Sequence, residues 1–129
     1  MDVNGNCIFA PGKEHIMGLI MKFRGQEIPI EWENQTAINT IIQKNSSVIK
    51  MRMEKKGGGS AGNLGISIPR NDRNMITRPG DIIYKDGQLV VCLGEESVSA
   101  TKLGHIKYPE TQVKNMFAPA SLQVEFWEK

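Results

Sequence analysis

Asp81-Ile82-Ile83-Tyr84-Lys85-Asp86-Gly87-Gln88-Leu89-Val90-Val91-Cys92-Leu93 consists of two apolar runs joined by Asp-Gly. A two-residue connection that follows the twist of its strands needs positive φ at both central residues. Asp-Gly supplies this, so the stretch predicts a tight antiparallel hairpin. Cys92 falls inside the second run, where a thiol serves as a small hydrophobe. Downstream, Lys102-Leu103-Gly104-His105-Ile106-Lys107-Tyr108 reads as a further strand with Gly104 as a bulge position, a short helix follows Pro109, and Leu122 to Trp127 alternates as a half-buried strand does. Upstream, the apolar segment Ile16 to Phe23, the interruption Arg24-Gly25-Gln26 and the alternating Glu27 to Trp32 predict a second hairpin. Pro29 lacks a ladder donor, so its strand is expected at an edge or with a bulge.

Between these hairpins, Ala37, Ile38, Ile41 and Ile42 recur at helical spacing behind Asn34, whose side chain can cap free amides; a helix over about 35–44 follows. Val48, Ile49, Met51 and Met53 then start another strand. Gly57-Gly58-Gly59-Ser60-Ala61-Gly62 invites comparison with a phosphate loop, but no Gly-Lys-Ser/Thr ends it and the following residues look extended. It is read as a flexible surface loop, because glycine is costly to order. Arg70 to Asn74 and Arg78-Pro79-Gly80 read as polar turns.

Short strands separated by turn signals, with few helices, predict a mostly β fold: a closed antiparallel β-barrel of about eight strands with one or two short helices. Residues 1–14 are polar, carry Pro11-Gly12 and lack periodicity, so they are expected to form a flexible N-terminal extension, with residues 15–129 as a single barrel domain.

The chain has 129 residues, of which 40% are hydrophobic and 23% charged, enough to build one core without a metal or disulfide. Sixteen basic and fourteen acidic residues are interspersed, which favours no polyanionic partner; nucleic acid is not expected. The local cluster Lys50, Arg52, Lys55 and Lys56 lacks neighbouring aromatic stacking residues and reads as a solvated strand end. Two cysteines, Cys7 and Cys92, without CxxC spacing or paired histidines, give no metal site and no disulfide framework, and no cofactor is implied. No stretch reaches the roughly eighteen apolar residues of a membrane span. The start, Met-Asp-Val-Asn-Gly-Asn, does not read as a signal peptide, so a cytoplasmic location is the expectation.

Gly80-Asp81-Ile82-Ile83-Tyr84, the apolar strand Leu89 to Leu93 ending at Gly94, and Ala100-Thr101-Lys102-Leu103-Gly104-His105-Ile106 together resemble the prokaryotic cyclophilin-like family of small proteins. The order of elements matches from about 16 to 126, although the specific motifs occupy about a quarter of that span. The resemblance implies a cyclophilin-type barrel. Two departures stand out: His105 replaces a basic residue, and Lys85-Asp86-Gly87 replaces a connection rich in tryptophan and proline.

A fold does not name a function. The first expectation is a binding module that takes a small molecule or a peptide at the barrel surface, with contacts from Arg70, Arg73, Tyr84 and His105; local pairing of Asp72 with an arginine is the bland alternative. A second is a prolyl-isomerase-like enzyme, implied by the resemblance alone. None of the arginines matches the isomerase motif by its neighbours, and neither His15 nor His105 sits in a nucleophile motif. Asp81, Glu95 and Glu96 are the carboxylates available for acid and base work. A third is a structural role through a homo-oligomer.

Overall fold

The computed structural model describes residues 18–44 and 48–128. The elements are β1 (Leu19–Phe23), β2 (Gln26–Ile28), β3 (Ile30–Trp32), α1 (Gln35–Lys44), β4 (Ile49–Lys56), β5 (Gly59–Asn63), β6 (Arg73–Ile76), β7 (Asp81–Lys85), β8 (Gln88–Cys92), β9 (Ser97–Ile106), α2 (Glu110–Met116) and β10 (Ser121–Glu128). The expected extension over residues 1–14, including Cys7 and Pro11-Gly12, lies outside the described residues.

The hairpin predicted from Asp86-Gly87 is β7–β8, and both turn residues take positive φ, 52° and 78°. Arg24-Gly25 makes the same turn between β1 and β2, at 55° and 79°. The ladder runs β2-β1-β10-β4-β5-β8-β7-β9-β3, antiparallel throughout, with β6 attached to β9 off this path. The first and last strands of that path are neighbours in sequence, separated only by Pro29. One run of chain therefore serves β1 with its first half and β9 with its second, and the sheet forms a nearly closed antiparallel barrel. Trp32 on β3 donates from Nε1 to the carbonyl of Leu19 on β1 at 2.7 Å, which ties the two sides of the proline together.

Alternation fills the interior. Met51 and Met53 on β4, Val124 and Phe126 on β10, Ile82 and Tyr84 on β7, and Leu89 and Val91 on β8 all join one core. α1 adds Ala37, Ile38, Ile41 and Ile42 from a single face, and α2 adds Val113 with the adjoining Phe117. Full burial of each such isoleucine or phenylalanine contributes about 1.5–3 kcal/mol. A smaller cluster, Ile83, Cys92 and Ala100 with Met75, Val90 and Val98, lies on the other face of β7 and β8 and seats the β6–β9 ribbon against it.

The glycine run departs from the surface loop expected of it. Gly57 and Gly58 make a turn between β4 and β5, and Gly59 to Gly62 are buried in a strand that pairs on both edges. Missing side chains explain the placement: a Cβ on Gly59 would stand 2.7 Å from the Val91 carbonyl oxygen, and one on Gly62 would stand 2.8 Å from the Met51 side chain. Here glycine permits close packing between strands rather than mobility. The basic cluster is indeed a strand surface: Arg52 meets Ser121 and Glu54, Lys55 reaches the Ala118 carbonyl, and Lys56 reaches Gln88. The bulge expected at Gly104 falls one residue earlier: Ile82 pairs with Gly104 and Ile83 with Lys102, so Leu103 is the extra residue.

Two variants test this packing. Gly59→Ala should lower stability by about 1–3 kcal/mol, read as a lower denaturant midpoint at unchanged slope. Gly94→Ala, where an added Cβ meets nothing within 4 Å, should leave the midpoint in place. The buried Ser60 hydroxyl has no hydrogen-bond partner among the described residues, so Ser60→Ala should keep the midpoint or raise it, by about 1 kcal/mol.

Candidate functional site

At the end of β3 the chain leaves the barrel because the amides of Glu33 and Asn34 both donate to the carbonyl of Leu103, at 2.8 and 3.3 Å. The bulged residue thus anchors the start of α1 beside β9. Asn34 then caps the helix, its Oδ1 accepting from the Ala37 amide at 3.1 Å. Facing this helix start is the segment that leads into β6. The Asn71 amide donates to Thr101 Oγ1 at 2.8 Å, and that hydroxyl donates to Asp72 Oδ1 at 2.7 Å. Arg70 closes a bidentate pair on Asp72.

Between these walls lies a cleft of about 710 Å³, floored by Thr101, Lys102 and Asp81 and lined by Glu33 to Thr36, by Pro69 to Asn71 and by all four residues of β6. Its volume is in the range of small-molecule sites. Asp81 is buried, and each of its oxygens is engaged. Oδ2 accepts from the Arg78 amide at 3.0 Å, and Oδ1 accepts from His105 Nδ1 at 2.7 Å with Lys102 Nζ at 3.7 Å. Lys102 also meets Glu33 at 3.2 Å, so its ammonium lies between the carboxylates of Glu33 and Asp81, with the His105 ring hydrogen-bonded to Asp81 on the other side.

The four residues singled out in the sequence separate in space. Arg70 and Arg73 line the cleft. His105 does not line it and reaches it through Asp81. Tyr84 is 5% exposed and packs in the barrel core, because its position on β7 shares the inward face with Ile82; the ligand contact expected of it at the barrel surface is corrected to a core position. The turn expected over residues 70–74 ends early, since Arg73 and Asn74 already pair with Ala100 and Ser99. The carboxylates considered together also part: Asp81 is in the cleft, while Glu96 packs over Gly58 at the β4–β5 turn. Thr101, Lys102 and Glu33 complete the site and were not singled out from the sequence. The signal that points to the first two is the polar pair Thr101-Lys102 set between Ala100 and Leu103 on β9; Glu33 carries none.

Charge is settled nearly everywhere in the cleft. The hydrogen bond and charge of Asp72 hold Arg70 above its already high range, while hydrogen bonds from Arg70 and then from Thr101 hold the Asp72 carboxyl below the usual aspartate range. Arg73 stands apart: among the described residues no carboxylate pairs with it. Among the described residues no hydroxyl or thiol hydrogen-bonds the His105 ring, which meets Asp81 through Nδ1. Cys92 is no substitute, since burial pushes its thiol up to about 12, and no group of three or more His, Cys, Asp or Glu among the described residues has the geometry of a metal site.

The Asp72 tether gives a pH dependence with a definite sign. A carboxyl depressed in the folded state stabilises its loop above its unfolded pKa, and that contribution is lost as pH falls through the lower folded value. In an NMR titration the Asn71 and Thr101 amide signals should hold from neutral pH down to about 4 and move only below it. Asp72→Asn should displace both signals already at neutral pH.

No helix among the described residues is long and apolar enough to cross a membrane. No family model, curated protein or solved structure matches the chain, so the site stands on its own geometry.

Proposed function

We propose that this domain is a binding module of cyclophilin-like type whose cleft between β6 and the start of α1 takes a small molecule or a peptide at the barrel surface. The observation that carries this reading is a preformed cleft of about 710 Å³ in which every lining charge except Arg73 has an opposite charge beside it among the described residues. A site with its walls pinned by Thr101, Asp72 and Asn34 has little ordering left to lose on binding, which favours affinity. A guanidinium without a carboxylate partner among the described residues selects for a ligand that brings an anionic or strongly accepting group. The free, buried Cys92 accords with a reducing compartment such as the cytoplasm.

An isomerase-like reading has less support. In this cleft the apolar lining comes from Pro69, Met75 and Ile76, and none of the described residues that line it is aromatic.

A panel of small carboxylates, phosphates and short acidic peptides, screened by thermal shift and then by NMR titration, tests the proposal. Members that bind should move the signals of Arg73, Thr101 and Lys102, and Arg73→Ala should weaken them about tenfold or more, the loss expected for a charged hydrogen bond. Absence of binding across the panel, or affinity indifferent to Arg73→Ala, would overturn it.

A further inference from the structure

β6 pairs with β9 along one edge and with no other strand among the described residues. All four of its residues line the cleft. Successive side chains leave a strand on opposite faces, so the feature the four share toward the cleft is the open backbone edge. Open edges are ordinarily blunted by charge, proline or cover. Here Arg73 provides one charge at one end, and Ile76 at the other is 72% exposed, the most exposed large apolar side chain among the described residues.

From this edge we infer that the ligand is an extended peptide that adds to β6 as a further antiparallel strand, with a carboxylate side chain beside Arg73 and, three residues earlier in the peptide, a branched apolar side chain over Ile76. The inference rests on the reading of the cleft as a ligand site and names its ligand class. Charge complementarity fixes the first position, because among the described residues Arg73 has no carboxylate partner while Arg70 and Lys102 already have theirs. Directly opposed residues of an antiparallel pair share a face, which fixes the second. The edge is about 13 Å long, enough for a four-residue pairing. The first turn of α1 walls the opposite side of the cleft, so the open edge of β6 faces a bounded groove that matches an extended segment. Main-chain hydrogen bonds supply affinity in strand addition, and the two side-chain positions supply choice of sequence.

The probe is the capped peptide Ac-Thr-Val-Thr-Thr-Glu-Thr-NH2, titrated into the isotope-labelled full chain and followed by NMR, alongside two forms N-methylated at alternate residues. One methylated set blocks the amides that face β6, and the other blocks those that face away. Strand addition predicts shifts across β6, a loss of more than tenfold with one methylated form, and retained binding with the other. Replacing the glutamate by lysine should weaken binding to the wild type and be rescued by Arg73→Glu. If both methylated forms bind as the parent does, or if a small carboxylate binds in an Arg73-dependent way while the peptide does not, strand addition is overturned and the cleft remains a ligand site. If neither the peptide nor any small anion moves a cleft signal, both readings fall.

Discussion

Seven residues of chain, Gln26 to Trp32, supply the pairing on which the barrel depends: they hydrogen-bond to β1 before Pro29 and to β9 after it. Without that double service both strands would expose an unpaired edge, and an open sheet of this length invites association. Proline suits the crossing point because a residue that changes partners has no single ladder to which it should donate. Its carbonyl is still used, accepting from the Lys107 amide at 2.8 Å.

The site follows from how that run ends. Once β3 has paired with β9, the amides of Glu33 and Asn34 close on the bulged Leu103, and α1 must start beside the middle of β9. The helix then plugs the interior with its apolar face while its first turn stays at the surface. On the opposite side Thr101 acts through one hydroxyl, accepting from Asn71 and donating to Asp72, and it is 1% exposed. A buried hydroxyl that uses both of its capacities holds a loop in one place, because either partner left unmade would cost desolvation. The cleft is thus a by-product of closure, given rigidity by a small polar network.

Its electrostatics are mostly self-contained. Arg70 is matched by Asp72, and Lys102 lies between Glu33 and Asp81. Such pairs near the surface contribute little to stability, and in the cleft they leave Arg73 without a carboxylate among the described residues. The buried Cys92 belongs to the outer apolar cluster that seats the β6–β9 ribbon, which accounts for its place in the sequence without chemistry.

Local signals in the sequence determined the hairpin at Asp86-Gly87, the helix behind Asn34, the half-buried strand from Leu122 and hence a mostly β barrel, because turn geometry, capping and side-chain alternation act over a few residues. At Gly57 to Gly62 the same local logic fails: conformational freedom is visible in a sequence, whereas a neighbouring strand that forbids a Cβ is not. Arg70 and Arg73 are legible as candidates in the sequence, whereas the burial of Tyr84 and the convergence of Thr101, Lys102 and Glu33 on the cleft are not. Only the tertiary structure decided those placements. Residues 33, 73, 81 and 101 meet through pairings that span dozens of positions, and the register that joins them is set by the whole closed ladder rather than by any one segment.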